Sequence, residues 1–201
     1  MKKTLVLIIF MVFICLSTFS QTNIKFNGAT FGNTVENFIL GFPKKPNIYK
    51  SWDTDIFNAN ICNGYECIME LNAETWTCYI FSSRKTDRVF RTVCTNGYPS
   101  DVKGHTMLLV KTLEEKYGGH FEEPKSELGY IKKGNNKYRE MFALKYQIKN
   151  TSGQTIGEIR ISCAPYKYTQ NDGGCIELSY TDLNTSALAT REYNAIMNNA
   201  L

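Results

Sequence analysis

The chain has 201 residues, 43% hydrophobic and 21% charged, with a formal net charge of +4. That length allows one ordinary domain, or two small halves sharing a core, and no long low-complexity stretch interrupts it. So small a net charge gives no ground for expecting nucleic acid or anionic lipid as the partner.

The N-terminus carries an address. Met1-Lys2-Lys3 is basic, and an apolar run from Leu5 to Ile14 follows. Ser17-Thr18-Phe19-Ser20 then places small residues at −3 and −1 of a cut before Gln21. This is the layout of a secretory signal peptide. The run is shorter than the roughly 18 residues that a membrane-spanning helix needs. The expectation is therefore a signal peptide at 1–20 and a mature α+β domain at 21–201, with possible halves at 21–99 and 100–201. Loss of Lys2 and Lys3 would lower the formal charge from +4 to +2. A lipid anchor at Cys15 is disfavoured, because Ile14 precedes it where a small residue is usual.

Ile24-Lys25-Phe26 alternates as a short strand, and Asn27-Gly28 marks a turn. Asn33 and Glu36 have capping-box spacing, with Val35, Phe38 and Ile39 on one helical face. Gly41 and Pro43 then stop a helix spanning about Asn33 to Leu40. A strand is expected near Asp55-Ile56-Phe57, and a hairpin turn at Asn63-Gly64. Three strand-like runs follow, Tyr65 to Leu71, Trp76 to Phe81 and Arg88 to Cys94, joined by short polar links. Short links between neighbouring strands imply an antiparallel meander.

Asn96-Gly97-Tyr98-Pro99-Ser100 reads as a break. The strongest helical pattern comes next, with Val102, Thr106, Leu109, Val110, Leu113 and Tyr117 at three- and four-residue spacing. Ser100 or Asp101 can cap it and Gly118-Gly119 ends it. Phe142, Leu144, Tyr146 and Ile148 then alternate with polar residues. Ile159, Ile161 and Cys163 alternate likewise, as do Ile176, Leu178 and Tyr180. A C-terminal helix is expected over Thr185 to Asn198, capped by Asn184 and carrying Leu188, Ile196 and Met197. The order helix, meander, helix, meander, helix predicts an α+β fold: largely antiparallel sheet with helices on one face, a duplicated helix-plus-meander unit.

Six cysteines follow the leader: Cys62, Cys67, Cys78, Cys94, Cys163 and Cys175. An even count in an exported chain suggests disulfides. Cys163 and Cys175 are the favoured pair, because they flank the polar loop 166–174 and closing it would contribute about 3 kcal/mol. Zinc at Cys62, Cys67, Cys163 and Cys175 is the weaker reading, since export favours oxidation. His105 and His120 are too few for a histidine zinc site, and no metal or cofactor is expected. No nucleophile elbow, phosphate loop or calcium loop is present. Tyr166 and Tyr168 lie in a polar loop with Lys167 and Gln170, which suits recognition of a sugar, peptide or protein.

The leader, Ile24-Lys25-Phe26-Asn27-Gly28, Glu115-Lys116-Tyr117-Gly118 and Cys175-Ile176-Glu177-Leu178-Ser179-Tyr180-Thr181-Asp182 resemble a group of small uncharacterised exported bacterial proteins. That resemblance implies no catalytic residues. The helix-then-meander recurrence is similar to tandem α+β modules such as β-lactamase-inhibitor-like proteins, a likeness of architecture alone. The leading expectation is a non-enzymatic binding module, periplasmic, extracellular or on the cell surface, for a protein, peptide or glycan. The rival is an exported hydrolase using scattered carboxylates. Neither nucleic acid nor a transmembrane segment in the mature chain is expected.

Overall fold

The structure, a computed structural model, describes residues 24–51, 61–124, 128–167 and 172–198. Two short strands, β1 (Lys25–Phe26) and β2 (Ala29–Thr30), open it as a hairpin. Its turn is Asn27-Gly28, both at positive φ, the pairing a two-residue hairpin turn selects. Helix α1 (Val35–Leu40) buries Val35, Phe38 and Ile39. Thr34 is its N-cap and makes no side-chain cap bond, so the Asn33–Glu36 capping box does not form. The preceding backbone is engaged elsewhere: Val89 N–H donates to the Asn33 carbonyl, and Thr34 bridges Arg88.

Seven strands form one sheet. They are β3 (Ile48–Lys50), β4 (Cys62–Leu71), β5 (Glu74–Ser83), β6 (Val89–Ser100), β9 (Phe142–Lys149), β10 (Thr155–Pro165) and β11 (Asp172–Asp182). The order is β3-β4-β5-β6-β11-β10-β9, with every neighbouring pair antiparallel. The sheet is thus two meanders joined by their last strands, β6 and β11. A separate ribbon pairs β7 (Tyr130–Lys133) with β8 (Asn136–Arg139).

Two expected breaks are continuous strand instead. Asn63-Gly64 lies within β4, where Gly64 pairs with Phe81. Asn96-Gly97 lies within β6, where Gly97 pairs with Cys175. Sheet partners override local turn preference there, since pairing satisfies backbone groups that a turn would leave to water. The strand expected at Asp55-Ile56-Phe57 lies outside the described residues.

Alternation splits the sheet into two faces. On one, Cys78, Ile80, Cys94, Ile159, Ile161, Ile176, Leu178 and Tyr180 join the main core with α1, the first hairpin and helix α2 (Val102–Tyr117). Phe26, Phe38, Phe42 and Tyr180 fill it, with ring centroids 5.1–6.0 Å apart. Helix α2 matches its expected span and buries Val102, Thr106, Val110 and Leu113. Asp101 caps it by accepting from the Gly104 N–H, and Gly118 ends it in the left-handed region.

The opposite face is covered differently. Helix α3 (Leu183–Asn198) lies there, its Ala189 packed with Tyr79, Phe81, Phe90 and Val93. Helices therefore sit on both faces of the sheet. Asp182, not Asn184, receives the Thr185 N–H at the start of α3. The helix buries Thr185, Ala189 and Glu192, while Ile196 and Met197 stay exposed. Glu192 accounts for this. Its carboxylate accepts from the backbone N–H groups of Lys85 and Thr86 and from the Thr86 hydroxyl, tying α3 to the β5–β6 turn. The far end of this face lies under the ribbon, where Ile131 and Tyr138 pack on Ala164 and Cys175.

Candidate binding site

The favoured disulfide does not form. Cys163 and Cys175 are both buried free thiols, as is Cys67; the bond is Cys78–Cys94. Register explains both outcomes. Cys163 stands opposite Ile176 and Ala164 opposite Cys175, so the two sulfurs lie on opposite faces of the sheet. Cys78 and Cys94 stand directly opposite each other on one face, with Cα atoms 4.1 Å apart. Burial pushes the Cys163 thiol up to about 11 and those of Cys67 and Cys175 up to about 12. Such groups are poor nucleophiles at neutral pH.

Tyr166 is about two-fifths exposed, beside the ribbon. Its hydroxyl accepts from Lys133 Nζ at 3.0 Å, and its ring meets Tyr138 edge-on at 4.9 Å. Both Tyr166 and Lys133 pass over Gly97, where any side chain would collide with them. Tyr166 is thus held as a lid over β6. Tyr168 lies outside the described residues.

Two polar clusters are closed on themselves. Asp87 accepts from Asn63 at 3.1 Å, from Tyr65 at 3.0 Å and from Ser82. Burial, then Asp87, pushes the Tyr65 phenol up to about 12. Glu192 is the centre of the second. Burial works against its ionisation, but the Thr86 and Lys85 donors prevail and hold it below the usual carboxylate range. These groups staple the β5–β6 turn and offer little to a ligand.

A third cluster opens onto a cleft. On the ribbon face of β10, Glu158, Arg160 and Ser162 alternate with core residues. Arg160 forms a two-pronged ion pair with Glu140, at 2.7 and 2.6 Å. Glu140 also accepts from the Gly129 N–H at 2.7 Å and is 5% exposed. Burial opposes its ionisation, yet Arg160 and Gly129 hold it below its ordinary value. Glu177 of β11 is one strand away, opposite Ser162. Burial raises its pKa against the pull of Arg91 and Arg160, and no hydrogen bond reaches it from the described residues. Arg91 Nε is also buried, without a hydrogen-bond partner among the described residues.

The cleft measures about 650 Å³. Its floor is Lys145, Gln147 and Lys149 of β9 with Glu158 and Arg160 of β10, and its rim is residues 120–124. Glu122 and Lys145 exchange two backbone hydrogen bonds, at 2.8 and 2.7 Å, which fix that rim along the edge of β9. Lys145 pairs with Glu158 at 2.5 Å. The floor residues Gln147 and Lys149 remain exposed. No group of three or more metal-ligating side chains occurs among the described residues.

Neither Glu140, Arg160 nor Glu177 stood out in the sequence. Their one legible signal was the alternation of Glu158 and Arg160 with Ile159 and Ile161, which puts both on a polar face. Comparison with protein-family models, curated proteins and solved structures finds no match to this chain.

Proposed function

We propose that the protein is an exported, non-enzymatic binding module that takes a polar ligand, a short peptide or a glycan, in the cleft along β9 and β10. Export rests on the basic, apolar and small-residue order of residues 1–20. The carrying observation is that Glu158, the carboxylate of the cleft floor, is already neutralised by Lys145, and that Arg160 beside it is paired with Glu140, while Glu122 and Glu123 stand exposed at the rim. An acid–base pair needs a carboxylate free to exchange a proton with substrate, whereas paired charges of both signs suit hydrogen-bonded recognition.

The rival, an exported hydrolase, draws on Glu177. Its raised pKa beside the lowered one of Glu140 is the divergence that acid–base catalysis exploits. The experiment is a panel of oligosaccharides and short peptides titrated against the purified protein, with products followed by mass spectrometry. Binding without turnover, weakened at least tenfold in Gln147→Ala/Lys149→Glu with unchanged melting, supports the module. Turnover that disappears in Glu177→Gln supports the hydrolase. Binding indifferent to Gln147 and Lys149 removes the cleft as the site.

A further inference from the structure

Cys67, Cys78 and Cys94 form one row across three neighbouring strands. Cys67 of β4 stands directly opposite Cys78 of β5, and Cys78 directly opposite Cys94 of β6. All three side chains join the same core, each no more than 1% exposed. The Cys78–Cys94 bond leaves Cys67 beside it as a free thiol.

Directly opposed residues of an antiparallel sheet line up along the hydrogen-bonding direction, with strands about 4.8 Å apart. Cβ atoms of such a pair are about 4.5–5.5 Å apart, close enough for their sulfurs to meet. Cys67 therefore lies on the side of Cys78 away from Cys94. A thiolate displaces a disulfide sulfur from that side, in line with the bond that breaks.

We propose that these three cysteines form an internal thiol–disulfide exchange relay. Cys67 gives up its proton and its Sγ attacks Cys78 Sγ. The Cys67–Cys78 bond forms as Cys78–Cys94 breaks, and Cys94 leaves as a thiolate that takes up a proton. One thiol and one disulfide stand on each side, so no oxidant or reductant is consumed. The cross-link moves from β5–β6 to β4–β5. It thereby frees β6, the strand that carries the joint to β11. Burial raises the Cys67 thiol, so exchange is slow at neutral pH and quickens as pH rises.

Peptide mapping tests this on the whole protein. The sample is held at pH 9, quenched in acid, alkylated with a maleimide in denaturant and digested with trypsin. Cys62, Cys67 and Cys78 fall within residues 51–84, where fragment spectra assign the link, and Cys94 within 92–103. The starting bond joins two peptides, and the exchanged bond lies inside one. The expected result is a population with alkylated Cys94 and, in equal amount, an internal Cys67–Cys78 link. Cys67→Ala should abolish it. In Cys94→Ser refolded with oxidised glutathione, which accepts the two electrons, the Cys67–Cys78 bond should form instead. Wild-type protein whose Cys94 is never alkylated, or whose Cys94 is alkylated equally in Cys67→Ala, would overturn the relay. So would two free thiols in folded Cys94→Ser.

Discussion

Glu140 and Glu177 both feel the charge of Arg160 and are driven in opposite directions. Glu140 has the guanidinium of Arg160 and a backbone N–H; Glu177 has burial and no hydrogen bond from the described residues. Removing one partner of a buried pair strands the other charge. Glu140→Ala should therefore cost about 3–5 kcal/mol in urea unfolding, while Glu140→Leu/Arg160→Met recovers most of it. The pH dependences also separate. A depressed folded pKa gives stability that is present above the unfolded value and lost as pH falls through the folded one. Glu140 and Glu192 act in this sense and weaken the fold in acid. Glu177, raised, acts oppositely: its penalty is absent below the unfolded pKa and grows as pH rises toward the folded one. Glu177→Gln should melt higher than wild type at pH 8 and near it at pH 3.5. An equal melting difference at both values would show that the carboxyl's charge is not the cause.

At the scale of elements, backbone conformation makes the sharpest claims. The β4–β5 turn is Asn72-Ala73, both at positive φ, with Ala73 at 62°. A Cβ is disfavoured there, so Ala73→Gly should stabilise by about 0.5–1 kcal/mol, read as a higher urea midpoint with unchanged slope. Asp101 is left-handed too, but its carboxylate caps α2, and Asp101→Ala should cost about 1 kcal/mol. Helix α2 was legible because its buried residues follow one stripe and both ends carry stop signals. Helix α3 was legible in extent only. Its apolar Ile196 and Met197 stay in solvent while Glu192 is buried, since the hairpin donors that repay that burial come from residues 85 and 86. Gly64 and Gly97 read as turns for a related reason: the strand partners Phe81 and Cys175 that hold them extended are distant in sequence. The cleft was illegible for the same cause, as Glu140 and Arg160 meet only once β10 finds its place.

For the whole molecule, the joint between β6 and β11 decides the fold. Gly173 lies at that joint, and an added Cβ would run into the carbonyls of Tyr98 and Pro99. Gly173→Ala should lower the melting temperature by several degrees, while the same change at Gly129, where a Cβ makes only ordinary contact, should cost far less. Since both meanders share one sheet, urea should unfold them in a single transition, with tryptophan fluorescence and far-ultraviolet dichroism coinciding. The joint also has a history in time. A ribosome delivers β6 long before β11, with α2, the ribbon, β9 and β10 synthesised in between. Throughout that interval the first meander carries a twelve-residue strand, Val89–Ser100, with an open edge. Such an edge recruits any extended chain that comes near. A nascent chain stopped before Asp172 should therefore aggregate, or require a chaperone, even though its first meander is complete.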